Sequence, residues 1–254
     1  MNAGKVETSI SNGIATIEFS HPQSNSLPGE LLRRLALEIE NAGKHKETKV
    51  IVIKSGGDKT FCAGASFDEL ISISDLETGK KFFSGFASVI NAMRKAPKFI
   101  IARVQGKAVG GGVGIASAAD YTLATEAALV KLSELNVGIG PFVVGPAVER
   151  KVGTAAFATL SINAGEWMSA EWAKEKSLYA NIYPSIAGLD KAVEELAVKL
   201  SQSNPEAMMM LKKVFWEGTE NWDALLAERA EMSGKLVLSE FTRNFIEKFK
   251  QGAR

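Results

Sequence analysis

Phe99-Ile100-Ile101-Ala102-Arg103-Val104 runs directly into Gln105-Gly106-Lys107-Ala108-Val109-Gly110-Gly111-Gly112-Val113-Gly114, and then into Ile115 and the residues up to Ala119. The first part is an apolar run of the kind a buried strand requires. The glycines interrupt it, and residues 115–119 read as helix. The stretch is therefore a strand, a small-residue turn and a helix start. Residues 51–66 repeat the plan, with Ala63-Gly64-Ala65 at the turn. Such turns leave backbone N–H groups free at a helix N-terminus, where negative charge is favoured. Small residues also let a ligand come close to the backbone. One Gly-rich turn is a weak signal, and two tight turns without a ligand would read the same way. The pairing of the two is what points to a site.

Outward from these loops, residues 6–10 and 14–19 flank Asn12-Gly13, the signature of a two-residue hairpin turn. Residues 30–42 read as a helix with Leu31, Leu35, Ile39 and Ala42 on one face. Residues 50–53 form a buried-strand run. Ser66-Phe67-Asp68-Glu69 fits a capping box that starts another helix. Phe82, Phe83, Phe86, Val89, Ile90 and Met93 make a wide helical stripe that Pro97 ends. Short strands are expected at residues 121–124 and 129–131. Beyond about Gly188 strand signals stop, and residues 189–201, 205–217 and 222–250 read as helices. The expected organisation is an α/β core over residues 1–187 and a helical oligomerisation region over residues 188–254.

At 254 residues, with 46% hydrophobic and 23% charged residues, the chain has the balance of an ordinary globular protein. That excludes a disordered, collagen-like or coiled-coil chain. A formal net charge of +1 gives no pull toward nucleic acid or anionic membrane. A single cysteine, Cys62, excludes an internal disulfide and a Cys-cluster zinc site. His21 and His45 are the only histidines, which leaves little for metal binding or a Ser-His-Asp triad. No apolar run has membrane-spanning length, and residues 1–8 lack the apolar core of a secretory signal. A cytoplasmic protein is the expectation.

The sequence resembles the crotonase (enoyl-CoA hydratase/isomerase) family. The resemblance rests on Asn25-Ser26-Leu27, Phe61-Cys62-Ala63-Gly64-Ala65 and the run from Val104 to Gly112. It extends through Ser133-Glu134-Leu135-Asn136-Val137-Gly138, Met168-Ser169-Ala170-Glu171-Trp172-Ala173 and Asn244-Phe245-Ile246-Glu247-Lys248. No one motif is strong, but the ordered set spans nearly the whole chain. The resemblance implies an α/β crotonase-like fold of repeated ββα units with a C-terminal α-helical region that builds trimers, which commonly pair into hexamers. It implies an acyl-CoA thioester as ligand, with CoA part of the substrate and no separate cofactor or metal. The thioester oxygen would be held by the backbone N–H groups of Ala65 and Gly111. Charge develops on that oxygen as an enolate forms, and preorganised donors stabilise it. Ser26, Leu27, Ala63 and Ser66 would line the CoA channel; Ser66 stands where family members often have Asp, and both cap helices. Lys248 would reach the CoA phosphates of a neighbouring subunit, or else be a solvated charge on the last helix.

The acid/base residues decide the reaction. Hydratases of the family usually carry two glutamates. Glu134 matches one of them, and Gly114 stands where the other belongs. Glu134 sits among Leu132, Leu135, Val137 and Ile139, and desolvation there would raise its pKa toward the range useful at neutral pH. Read without the resemblance, it is an exposed loop residue or half of a salt bridge. One base suffices to move a proton in a 3-enoyl to 2-enoyl isomerisation, whereas two carboxylates conveniently hold a water for hydration. Gly114 thus leans toward isomerisation. The run Gly-Gly-Gly-Val-Gly and residues 138–145 resemble the branched-chain enoyl-CoA hydratases and lean toward hydration. Dienoyl-CoA isomerases and aryl-CoA dehalogenases place an Asp where Phe142 stands, and are discounted. Glu69 is expected to complete the cap of its own helix, Asp68 to face solvent, Asp120 to be structural, and Cys62 to be a small buried residue. The rival reading is a non-catalytic acyl-CoA binder or scaffold of the same fold.

Overall fold

The computed structural model describes residues 4–252. Strands β1 (Lys5–Ser11) and β2 (Ile14–Ser20) form the expected antiparallel hairpin. Asn12 and Gly13 take φ of 51° and 79° at its turn, the left-handed pair that matches strand twist. Helix α1 (Gly29–Lys44) buries Leu31, Leu32, Leu35, Ala36, Ile39 and Ala42.

A strand–strand–helix unit then recurs. Its first copy is β3 (Val50–Ser55) and β4 (Thr60–Cys62), followed by α2 (Phe67–Leu70) and α3 (Leu76–Lys95). The second is β5 (Phe99–Val104), β6 (Lys107–Val109) and α4 (Gly111–Ala118). The third is β7 (Tyr121–Thr125) and β8 (Val130–Lys131), followed by a 3₁₀ turn (Glu134–Val137) and α5 (Gly145–Ile162). Then come α6 (Ala170–Glu175), β9 (Asn181–Tyr183), α7 (Ile186–Ser201), α8 (Pro205–Phe215), α9 (Trp222–Leu236) and α10 (Glu240–Gly252). The first strand of each unit joins a six-stranded sheet of order β1-β2-β3-β5-β7-β9. The second strand joins a three-stranded sheet, β4-β6-β8. Beyond the hairpin, the named strands of the two sheets pair in parallel. These are the repeated ββα units that the family resemblance implied.

The central strands are covered on both faces, which is why they read as unbroken apolar runs. Ile51, Ile53, Ile100 and Ala102 enter the main core. Val50, Val52, Ile101 and Leu123 face the other way, onto Leu189, Val193 and Ala197 of α7. The helices beyond residue 187 therefore pack into the body. Helix α9 crosses α3 at bare backbone: a methyl group on Gly79 would lie 3.0 Å from Gly234 Cα. Lys212 of α8 is 2% exposed and donates to Met93 O, Lys98 O and Asp120 Oδ2, all at 2.8–2.9 Å. Asp120 is structural, as expected.

Two expectations need correction. Residues 222–250 are two helices, because Ser239 Oγ accepts Thr242 N–H at 3.3 Å and starts a new one. Helix α4 begins at Gly111, ahead of residue 115, since its glycines bury against Cys62 and Phe86 and packing overrides their low helix propensity. Strand β9, which pairs only with β7 at the sheet edge, gave no strand signal. Among the described residues no helix is long and apolar enough to cross a membrane, and no cluster of three metal-ligating side chains occurs.

Candidate active site

The first loop leaves β4 through Ala63-Gly64-Ala65. Asn25 Nδ2 donates to Gly56 O at 2.7 Å and to Thr60 O at 2.8 Å, and Gln105 Nε2 donates to Thr60 O at 3.2 Å, so the loop's stem is held from two sides. Leu27 N–H donates to Gly64 O at 2.8 Å, and Ser66 N–H donates to Leu27 O at 3.3 Å. These two bonds flank Ala65. Peptide groups alternate in direction along an extended chain, so the Ala65 N–H points away from Leu27. Ser66 Oγ then accepts Glu69 N–H at 3.4 Å and caps α2. Only half of the capping box forms. The Glu69 carboxylate accepts Gly29 N–H at 2.8 Å instead, so it caps α1 and ties that helix to the loop. Asp68 is exposed, as expected, and accepts Gln23 Nε2 at 2.9 Å.

The second loop leaves β6 through Gly110, whose φ of 52° and ψ of −112° suit glycine alone. Gly111 opens α4, so its N–H lies in the first turn, where helical N–H groups lack an intrahelical acceptor. The two loops meet: a methyl group on Gly64 would lie 3.2 Å from Val109 O and 3.7 Å from Gly111 N. Among the turn and cap bonds of the described residues, neither Ala65 N–H nor Gly111 N–H has a backbone acceptor.

Glu134 starts the 3₁₀ turn after β8. A methyl group on Gly110 would lie 2.9 Å from Glu134 Oε1, so the missing side chain at Gly110 is what lets the carboxylate stand over the second loop. Oε2 is buried without a hydrogen-bond partner, although Glu134 as a residue keeps partial exposure. Desolvation raises its pKa to about 7, with its own backbone N–H pulling weakly the other way. The direction matches expectation, but the walls are not the sequence neighbours alone. Leu135 is 52% exposed, and the cavity that Glu134 faces is also lined by Phe86, Val144 and Phe245 from segments distant in sequence.

Ala63, Ala65, Ser66, Gly111 and Glu134 all line one cavity of about 390 Å³. Phe82, Phe83 and Phe86 of α3 form one wall, Phe142, Val143 and Val144 another. Ser233 of α9 and Phe245 of α10 close it from the tail. Ser26 and Leu27 do not line it. Ser26 is buried with Oγ 3.3 Å from His21 Nδ1, and the Leu27 side chain is fully in the core. Lys248 is exposed on α10 and does not line it either. Cys62 lies beneath the first loop, and burial pushes its thiol up to about 12, which leaves no thiolate for nucleophilic work. Ile139 lines the cavity, as its place in the apolar surroundings of Glu134 suggested, whereas nothing in the sequence reading pointed to Leu70 or Ser233; for Ser233, the glycine pair that brings α9 against α3 is the signal the sequence offers.

Position 114 is sealed. A methyl group there would lie 2.5 Å from Val144 Cγ1 and 2.9 Å from Val144 Cβ. Val144 thus fills the space that a side chain at 114 would enter. Glu134 is the sole titratable side chain among the described lining residues.

Sheets, repeated units and loop pair together define a crotonase-fold protein. The family model "Enoyl-CoA hydratase/isomerase" matches residues 9–251, and the chain belongs to that family. It is 27% identical over 244 residues to the short-chain-enoyl-CoA hydratase of Clostridium acetobutylicum, covering 93% of this chain and 92% of that one. It is 29% identical over 229 residues to the 2,3-dehydroadipyl-CoA hydratase of Escherichia coli (strain K12), covering 89% and 88%. A crystal structure of enoyl-CoA hydratase from Bacillus halodurans shares the fold, with a TM-score of 0.88 at 21% identity over 96% of this chain and 99% of that one.

Proposed function

We propose that this chain is an enzyme that moves a proton on an enoyl-CoA thioester, with Glu134 as its single acid/base. The observation that carries the reading is the Glu134 carboxyl group, raised to about 7 with Oε2 buried and unpartnered, on a cavity with no other titratable side chain among the described lining residues. A carboxylate so placed is half-ionised near neutral pH, able both to take and to return a proton. In the proposed reaction it takes a proton from C2 of a 3-enoyl thioester. The electron pair passes into the thioester carbonyl as a dienolate, the carboxyl proton of Glu134 exchanges with solvent water, and Glu134 delivers a proton at C4 to leave the 2-enoyl thioester. The Ala65 and Gly111 N–H groups hold the dienolate oxygen; each such donor contributes about 2.7–4 kcal/mol to transition-state stabilisation. The seal at position 114 supports isomerisation over a two-carboxylate hydration.

Hydration of a 2-enoyl thioester, linear or branched, is the second reading. Ser133 and Asn136 line the cavity beside Glu134 and offer neutral groups that could hold a water. The relatives named hydratases weigh on the same side. In both readings Ala63 and Ser66 border the CoA channel, with Ser26 and Leu27 buried behind the first loop rather than on the channel wall; Lys248 meets CoA phosphates of a neighbouring subunit, and CoA enters only as part of the substrate. Assembly into a trimer or hexamer through the tail is part of the proposal, supported by the exposed Met210, Leu211, Val214 and Phe215 of α8.

The test is mass spectrometry of the pure protein with 3-enoyl-CoA and, separately, 2-enoyl-CoA in heavy water. Isomerisation with deuterium on carbon and no gain of water is the expected result. Gain of water by the 2-enoyl thioester at a comparable rate would establish the second reading. Binding of both thioesters with neither change would mean a non-catalytic acyl-CoA binder.

A further inference from the structure

We propose that the acyl group accepted here is uncharged and apolar to its far end, and that thioesters carrying a second carboxylate are rejected. The inference rests on the acyl-CoA reading and names its substrate class. It comes from the charge inventory of the cavity. No Lys, Arg or His is among the described residues lining it, and the one charge present is the Glu134 carboxylate. Lys131 ends β8, three residues before Glu134, but turns away: its Nζ lies 5.0 Å from the Trp167 ring centroid and donates to Gly165 O at 3.1 Å.

The walls offer no substitute for a cation. Phe82 and Phe83 meet edge to face, with centroids 5.0 Å apart, and Phe86 presses on Gly111 so closely that no side chain fits between them. Phe67, Phe142 and Phe245 continue the apolar lining. The polar lining side chains besides Glu134 are Ser66, Ser133, Asn136 and Ser233, all neutral. A second carboxylate placed here would lose its water without gaining a counter-charge, and would share a low-dielectric space with Glu134. A methyl-ended chain meets neither cost, and its burial against the phenylalanines is favourable.

Isothermal titration with hexanoyl-CoA and adipoyl-CoA at pH 7.5 tests this. Both are unreactive toward isomerisation, and they match in CoA and chain length, differing at the acyl terminus. Hexanoyl-CoA is expected to bind at least about tenfold more tightly. Equal affinity, or tighter binding of adipoyl-CoA, would overturn the inference and leave the acyl-CoA reading standing. Binding of neither thioester would overturn the acyl-CoA reading itself and the inference with it.

Discussion

The Asp120 carboxylate accepts three hydrogen bonds: Ile100 N–H and Lys212 Nζ on Oδ2, both at 2.8 Å, and Trp216 Nε1 on Oδ1 at 2.9 Å. The Glu134 carboxylate, buried a short stretch of chain away, leaves Oε2 with no partner. One region is a fully satisfied polar junction that fastens α8 beneath the sheet. The other keeps a desolvated acid facing a cavity. Between these two carboxylates, burial alone does not separate structure from chemistry; completeness of partnering does. A satisfied buried charge holds elements together, whereas an unsatisfied one lowers stability and keeps a proton exchangeable.

The comparison is broken most directly at Glu134. Glu134→Gln should lower kcat/KM by about 10²–10⁴ in a proton-transfer assay while acyl-CoA affinity holds. Equal activity in the variant would place the chemistry elsewhere. At the other region, Lys212→Met strands Asp120 and should cost about 3–5 kcal/mol in denaturant unfolding, with kcat per folded molecule unchanged.

The same Glu134→Gln change should raise stability at alkaline pH. The folded carboxyl is raised to about 7 against an ordinary value of 4.5, so the folded state holds its proton more tightly than the unfolded chain. Native stability therefore falls as pH rises from about 4.5 to about 7, by on the order of 3 kcal/mol, and the variant escapes that loss. Unfolding curves at pH 5 and pH 8 check it: the gap between variant and wild type should open with pH. A smaller effect sharpens the picture at the seal. Gly114→Ala pushes its methyl group into Val144 and should cost about 1–3 kcal/mol, with Val144→Ala in the same chain recovering most of it.

Much of this architecture was legible in the residues because the governing signals are local. Asn12-Gly13 announces its hairpin, and the runs at 50–53 and 99–104 announce strands covered on both faces. The paired small-residue turns marked the site before any geometry. Glu134 owed its prominence to the family resemblance, since a lone Glu beside Leu135 reads equally as a surface residue. What was hidden depends on contacts distant in sequence. Glu69 completes a capping pattern in the sequence, yet its carboxylate turns to Gly29 because α1 lies within reach. Ser233 reaches the cavity beside Gly234, where Gly79 and Gly234 allow α3 and α9 to cross backbone to backbone, and Phe245 reaches it from α10. The residue that seals position 114, Val144, lies thirty residues further along, beyond β7, β8 and the 3₁₀ turn, and no spacing rule predicts that meeting.

The central claim is that Glu134 is the proton carrier. It is tested most directly by the pH dependence of deuterium exchange at the C2 carbon of a bound 3-enoyl thioester, in the wild type and in Glu134→Gln. The exchange rate should rise with pH, be half-maximal near 7 and be lost in the variant. A rate independent of pH from 5 to 9, or one that survives intact in Glu134→Gln, would contradict it.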